Sequence, residues 1–124
     1  MKWTYNDGGR SKYFKASKVE DCVTRSVAIA TGLDYKFIYD TIKSLVGYSP
    51  RGGIYQKDIK KVMARFGGEW TPVRAHLRSS EMPRFGRFTV RLDKHITCVL
   101  DGEIQDIYDP SRDGKRIIYG YWQF

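Results

Sequence analysis

The segment His95-Ile96-Thr97-Cys98-Val99-Leu100-Asp101-Gly102-Glu103-Ile104-Gln105-Asp106-Ile107-Tyr108 leaves the chain little conformational choice. Two runs rich in β-branched residues flank Asp-Gly, a pair that tolerates the two positive φ values a tight turn between antiparallel strands requires. With that turn, Leu100 faces Glu103, Thr97 faces Asp106 and His95 faces Tyr108. Side chains alternate along a strand, so His95, Thr97, Asp106 and Tyr108 share one face and Cys98 lies on the other. Asp106 is then diagonal to His95, within reach of a hydrogen bond. An imidazole held in this way has its tautomer fixed and its protonated form favoured. It lacks only a thiol or hydroxyl to activate.

Residues 87–92 alternate in the same way ahead of the hairpin, and residues 116–122 supply a further strand. The first half of the chain has the helical period instead. Val23, Val27, Ala28, Ile29 and Ala30 cover most of a helical circumference, which marks a buried helix closed at Gly32. Asp34 reads as the N-cap of a second helix with Ile38, Ile42 and Leu45 on one face, stopped at Gly47. Tyr55, Ile59, Val62, Met63 and Phe66 give a third, amphipathic helix closed by Gly67-Gly68. A mixed stretch holding Pro72 and Pro83 follows. Helices first and strands afterwards predict an α+β fold, with N-terminal helices packed on a C-terminal antiparallel β-sheet. The 124 residues carry no repeat or linker and fit a single domain over 1–124.

No apolar stretch has the length of a secretion signal or a membrane span, so the expectation is a cytoplasmic protein with no membrane role. In a reducing compartment Cys22 and Cys98 are expected as free thiols instead of a disulfide. The formal charge of +8 favours acidic partners through a long-range, salt-sensitive field. The cations Lys15, Lys18, Lys57, Lys60, Lys61, Arg74, Arg78, Arg84, Arg87 and Arg91 are dispersed, so a solvated surface and a nucleic-acid face both fit them. Two histidines and two separated cysteines do not make a metal site, and no phosphate-loop spacing is present. No cofactor is expected. His76 has no evident partner, and Gly52-Gly53 reads as a turn before the third helix.

The stretch Glu20-Asp21-Cys22-Val23-Thr24-Arg25-Ser26-Val27-Ala28-Ile29-Ala30 sets a cysteine at the mouth of the buried helix. Unpaired N–H groups and the helix dipole lower a thiol's pKa there, and a neighbouring imidazolium lowers it further. The Cys22 N–H is also placed to donate to an oxyanion. Asp21 either caps this helix or opposes the thiolate, and Ser17-x-x-Glu20 offers a capping box that would start the helix earlier.

Asp21-Cys22 opening a buried helix, followed by His95 starting a strand and an acid on the next strand, resembles papain-like cysteine peptidases. The compact forms are nearest: the Asp-Cys-Gly peptidase domains of bacteriocin transporters and the NlpC-type cell-wall peptidases. The chain is also similar to small phage-encoded proteins with segments of this kind, here DCVTRSVAIATG and HITCVLDGEIQDIYD. The resemblance implies a helical half and a sheet half with an active site between them. It makes Cys22 the nucleophile and His95 the general base. For the third residue, NlpC-type spacing and the hairpin face favour Asp106, whereas the Asp-Pro ending of the transporter peptidases favours Asp109. Those families often place a glutamine shortly before the nucleophile to complete the oxyanion hole, and residues 10–21 hold none. Asn6, Ser17 and Tyr13 are the substitutes at hand.

What the resemblance implies is a cysteine-dependent hydrolase or acyl transferase acting on a protein or peptide, an acidic one by the chain's charge, in the host cytoplasm if phage-encoded. The rival is a non-enzymatic basic protein on the same scaffold that binds nucleic acid or a host protein. Its support is Arg74, Arg78, Arg84, Arg87 and Arg91 interleaved with Trp70, Phe85 and Phe88.

Overall fold

The computed structural model describes residues 1–15 and 20–124. Three helices, α1 (Cys22–Thr31), α2 (Tyr35–Val46) and α3 (Gln56–Arg65), pack on a six-stranded sheet. Its strands are β1 (Trp3–Tyr5), β2 (Glu69–His76), β3 (Arg87–Leu92), β4 (His95–Leu100), β5 (Glu103–Asp106) and β6 (Ile117–Gln123), in the spatial order β1-β5-β4-β3-β6-β2. The fold is α+β. Among the described residues no helix is long and apolar enough to cross a membrane.

Local chemistry accounts for the helix limits. Gly32 and Gly47 adopt left-handed φ values of 72° and 84° and close α1 and α2. The Asp34 carboxylate accepts the Lys36 and Phe37 N–H groups at the start of α2. Gly67 ends the turn after α3 at φ 84°. Asp101 and Gly102 turn the hairpin with φ 46° and 78°, and the Asp101 side chain accepts the Gly86 N–H at 2.8 Å. The register pairs Leu100 with Glu103 and Cys98 with Gln105.

The sheet departs from the expected C-terminal antiparallel one in two places. The N-terminal β1 runs parallel to β5, so the sheet is mixed and draws on both ends of the chain. At the opposite edge, β2 runs through the stretch read as irregular. Pro72 is tolerated there because β2 is an edge strand, and its register with β6 shifts between Pro72 and Ala75.

Two apolar clusters hold the layers together. Val23, Val27, Ile38, Ile42, Val62 and Met63 of the helices meet Ile96 and Trp122 of the sheet. Phe88, Val90, Leu92, Val99, Ile104 and Ile118 form the second cluster with Leu77 and Met82. Each of the fully buried aliphatic side chains contributes about 1.5–3 kcal/mol by leaving water.

Candidate active site

α1 lies against β4 where β4 and β5 part. The ladder between those strands ends at Cys98 and Gln105, although the hairpin register would carry it on to His95 and Tyr108. The reason lies in α1. Ser26 Oγ donates to the Ile96 carbonyl at 3.1 Å, and the Ile96 N–H lies near enough to Cys22 to lower its thiol pKa. N–H and C=O of one strand residue point to the same side, so the helix takes the pair that a longer β5 would have used.

Cys22 is the first residue of α1 and is half-buried. The first intrahelical bond runs from the Arg25 N–H to the Asp21 carbonyl at 3.0 Å, so the amides of Cys22, Val23 and Thr24 precede the ladder. Asp21 occupies the N-cap position without capping through its side chain. Its buried carboxylate turns away to meet Arg25 Nε at 2.9 Å, Arg10 Nε at 3.0 Å and the Tyr35 hydroxyl. Arg10 Nε is close enough for an ion pair but out of line for a hydrogen bond. Asp21 therefore neither caps α1 nor faces the sulfur as an unpaired charge. The capping box at Ser17 lies outside the described residues.

His95 opens β4, and its ring is fixed from both sides. Nε2 lies 2.8 Å from Asp106 Oδ2, which also accepts the Thr97 hydroxyl at 2.6 Å. Cys22 lies close enough to the imidazole for the two groups to shift each other's titration. With Nε2 occupied by Asp106, Nδ1 is the nitrogen left to exchange a proton with the thiol. Tyr108 packs beside the ring at a centroid distance of 5.2 Å.

Asp106 is buried and uses both oxygens. Oδ1 accepts Arg25 Nη1 at 3.1 Å and the Ile107 N–H at 2.7 Å. Its backbone is tied to the N-terminal segment, where the Asn6 N–H and the Trp3 indole both donate to the Asp106 carbonyl. Arg25 and the strand β1 are the parts of the site that sequence reasoning missed. Arg25 sits one helical turn beyond Asp21 and so spans both acids, a spacing visible in the sequence; nothing there marked Asp106 as its second partner. Asp109 lies apart from this cluster and accepts the Ser111 N–H at 2.9 Å in the turn after β5. Of the two candidate acids, the one on the imidazole is Asp106.

These contacts oppose burial at each titrating group. Burial alone would push the Cys22 thiol up; the His95 hydrogen bond and charge, the Ile96 N–H and nearby Arg25 bring it below its ordinary value. Burial alone would lower His95, yet its bonds to Asp106 and Cys22 raise it to about 9. For Asp106 burial is likewise outweighed, chiefly by the bonds from His95 and Thr97, and the carboxyl is held low. All three shifts act in one direction, favouring a thiolate beside an imidazolium backed by a carboxylate over the uncharged pair. Cys98 is the contrast within the same chain: fully buried, its thiol is pushed up.

Cys22 and His95 open onto a cavity of about 410 Å³ bordered by Gly53, Ile54, Gln56, Ile59 and Arg91. The loop at Gly53 and Ile54 forms one wall, and a Cβ on Gly53 would lie 3.4 Å from the Glu20 carbonyl. The expected oxyanion donors are occupied elsewhere. Asn6 donates to Gln105 and accepts from the Gly8 N–H, and Tyr13 donates to Asp34. Ser17 lies outside the described residues. The Cys22 N–H precedes the helical ladder and so has no intrahelical acceptor.

Comparison with family models, with curated proteins and with solved structures finds no match. The remaining sequence candidates separate in space. His76 pairs with Glu81, which Arg78 also engages. Trp70 lies against Trp122 with ring centroids 4.4 Å apart and the rings tilted; of the aromatic residues among the basic ones Phe88 is buried, whereas Trp70 and Phe85 are exposed.

Proposed function

We propose that the protein is a papain-like cysteine-dependent hydrolase or acyl transferase in which Cys22, His95 and Asp106 act as a triad. The observation that carries this reading is the single imidazole bonded to Asp106 through Nε2, coupled to Cys22 in its titration and opening with it onto one cavity. The Cys22 thiolate attacks an amide, isopeptide or thioester carbonyl, forming a carbon–sulfur bond and a tetrahedral oxyanion that the Cys22 N–H receives. Imidazolium His95 gives its proton to the departing amine or thiol as the bond to the leaving group breaks, which leaves an acyl-cysteine and a neutral imidazole. Water or an acceptor amine loses a proton to His95, attacks the acyl group and releases the thiolate. Asp106 holds the ring throughout. An activated free thiol suits a reducing compartment, so a cytoplasmic site of action goes with the reading.

Intact-mass measurement after mixing with p-nitrophenyl acetate tests it. The expected result is one acetyl group on Cys22, formed with a burst of nitrophenolate and then lost, with no adduct in Cys22→Ala. Acetylation spread over lysines, with Cys22 unmodified, would overturn the proposal.

A further inference from the structure

Arg91 projects from β3 beside the cavity that holds Cys22, and it is half-buried. Among the described residues its side chain forms no hydrogen bond or ion pair, nor does that of Lys60 on α3. A guanidinium in that position has lost part of its hydration without gaining an acceptor, which favours any ligand that supplies one.

The surroundings of Arg91 follow from the sheet register. Arg91 pairs with Gly120 of β6, and Gly120 pairs with Pro72 of β2. One step along, Thr89, Trp122 and Trp70 line up on the same face. The Trp70 ring leans over Gly120, where an added Cβ would lie 2.3 Å from the indole and 2.7 Å from the Thr71 carbonyl. Glycine at 120 is what lets Trp70 lie across the strand toward Arg91.

The result is a hollow of about 150 Å³ lined by Gln56, Ile59, Lys60, Trp70, Arg91 and Trp122. Gln56, Ile59 and Arg91 also line the larger cavity, so the two spaces adjoin. Glu20 and Asp93 border the larger cavity, but no acid borders the hollow, whose charges are Lys60 and Arg91. Indole walls with two cations suit a side chain that has an apolar stem and an anionic end.

We infer that Lys60, Arg91 and Trp70 form a specificity subsite beside the thiol for a carboxylate of an acidic peptide substrate, either an Asp or Glu side chain or the peptide's C-terminus. The inference rests on the thiol-hydrolase reading for its substrate. The hollow holds one side chain, which favours a peptide over the extended phosphate track of a nucleic acid.

Chloroacetyl dipeptide amides that alkylate Cys22 test it. Rates are compared within matched pairs: glutamyl against glutaminyl at the first and at the second position, and alanyl-alanine as free acid against amide. The expected result is a preference of about ten-fold for one carboxylate-bearing member, as for a partly exposed charge-assisted hydrogen bond. That ratio should fall toward one in Arg91→Gln and partway in Lys60→Gln. Taking ratios within one variant cancels any change in thiol reactivity, and the pair that discriminates tells side chain from C-terminus. Ratios near one in the wild type, or a ratio unchanged in Arg91→Gln, would overturn the subsite even with Cys22 fast. If Cys22 reacts with no probe, the hydrolase reading fails and the subsite is read by indole NMR of Cys22→Ala protein. Shifts of Trp70 and Trp122 with acetyl-alanyl-glutamyl amide, but not its glutaminyl counterpart, support the subsite. Absence of such shifts, or shifts with oligothymidylate alone, overturns it.

Discussion

Arg25 and Asp106 show how closely structure and reactivity are joined at single residues. The guanidinium bridges Asp21 and Asp106, and all three are buried. Arg25→Met would take a shared cation from two buried carboxylates that keep their other partners, and breaking a buried pair in this way costs up to about 3–5 kcal/mol. Urea denaturation should show that loss, with a smaller one for Arg25→Lys. Asp106→Asn keeps the shape but removes the charge behind His95, so acylation of Cys22 should slow by roughly 100-fold or more. Asp109→Asn, in a turn away from the ring, should stay within about two-fold, its turn bond to Ser111 notwithstanding. A stopped-flow acylation assay separates the two acids. The sequence marked Cys22, His95 and Asp106 because strand alternation and a two-residue turn fix which side chains share a face. It left Asp21 ambiguous because its partners, Arg10 and Tyr35, come from segments whose approach no local pattern encodes.

At the scale of elements, the glycines that permit close approach give the sharpest tests. Gly120→Ala should displace the Trp70 ring from its place on β6, costing about 1–3 kcal/mol as an overpacked site does. A drop in melting temperature with a changed Trp fluorescence spectrum is the expected readout. The three helices were legible because each carries its own apolar period and a glycine stop, and α2 an Asp34 cap as well. So was the hairpin, whose Asp-Gly turn fixes its register. β1 escaped notice because three residues, Trp3–Tyr5, are too few to show a period, and their pairing partner lies about a hundred positions away. β2 was obscured by Pro72, which reads as a breaker until its place on the edge is known. The early end of the β4–β5 ladder was hidden for a different reason: it depends on α1 claiming the Ile96 peptide groups.

Across the whole molecule, the buried charges predict how stability varies with pH. Asp106 titrates lower in the folded state, so its contribution is present above its unfolded value, about 3.9, and is lost as pH falls through the lower folded value. His95 titrates higher, at about 9. Its contribution is complete below its unfolded value of about 6.5 and is lost as pH rises through the folded one. Urea midpoints should therefore fall at both ends of the pH range, and Asp106→Asn should flatten the acid limb. The central claim is that the fold delivers His95 to Cys22 as an activating partner. Iodoacetamide alkylation of Cys22 from pH 5 to 10, followed by peptide mass mapping with buried Cys98 as the internal reference, addresses it most directly. The expected profile rises with an apparent pKa below the ordinary thiol value of about 8.5, and His95→Asn moves that rise upward. A Cys22 that reacts only at or above the ordinary thiol pKa, with the same profile in His95→Asn, would contradict it.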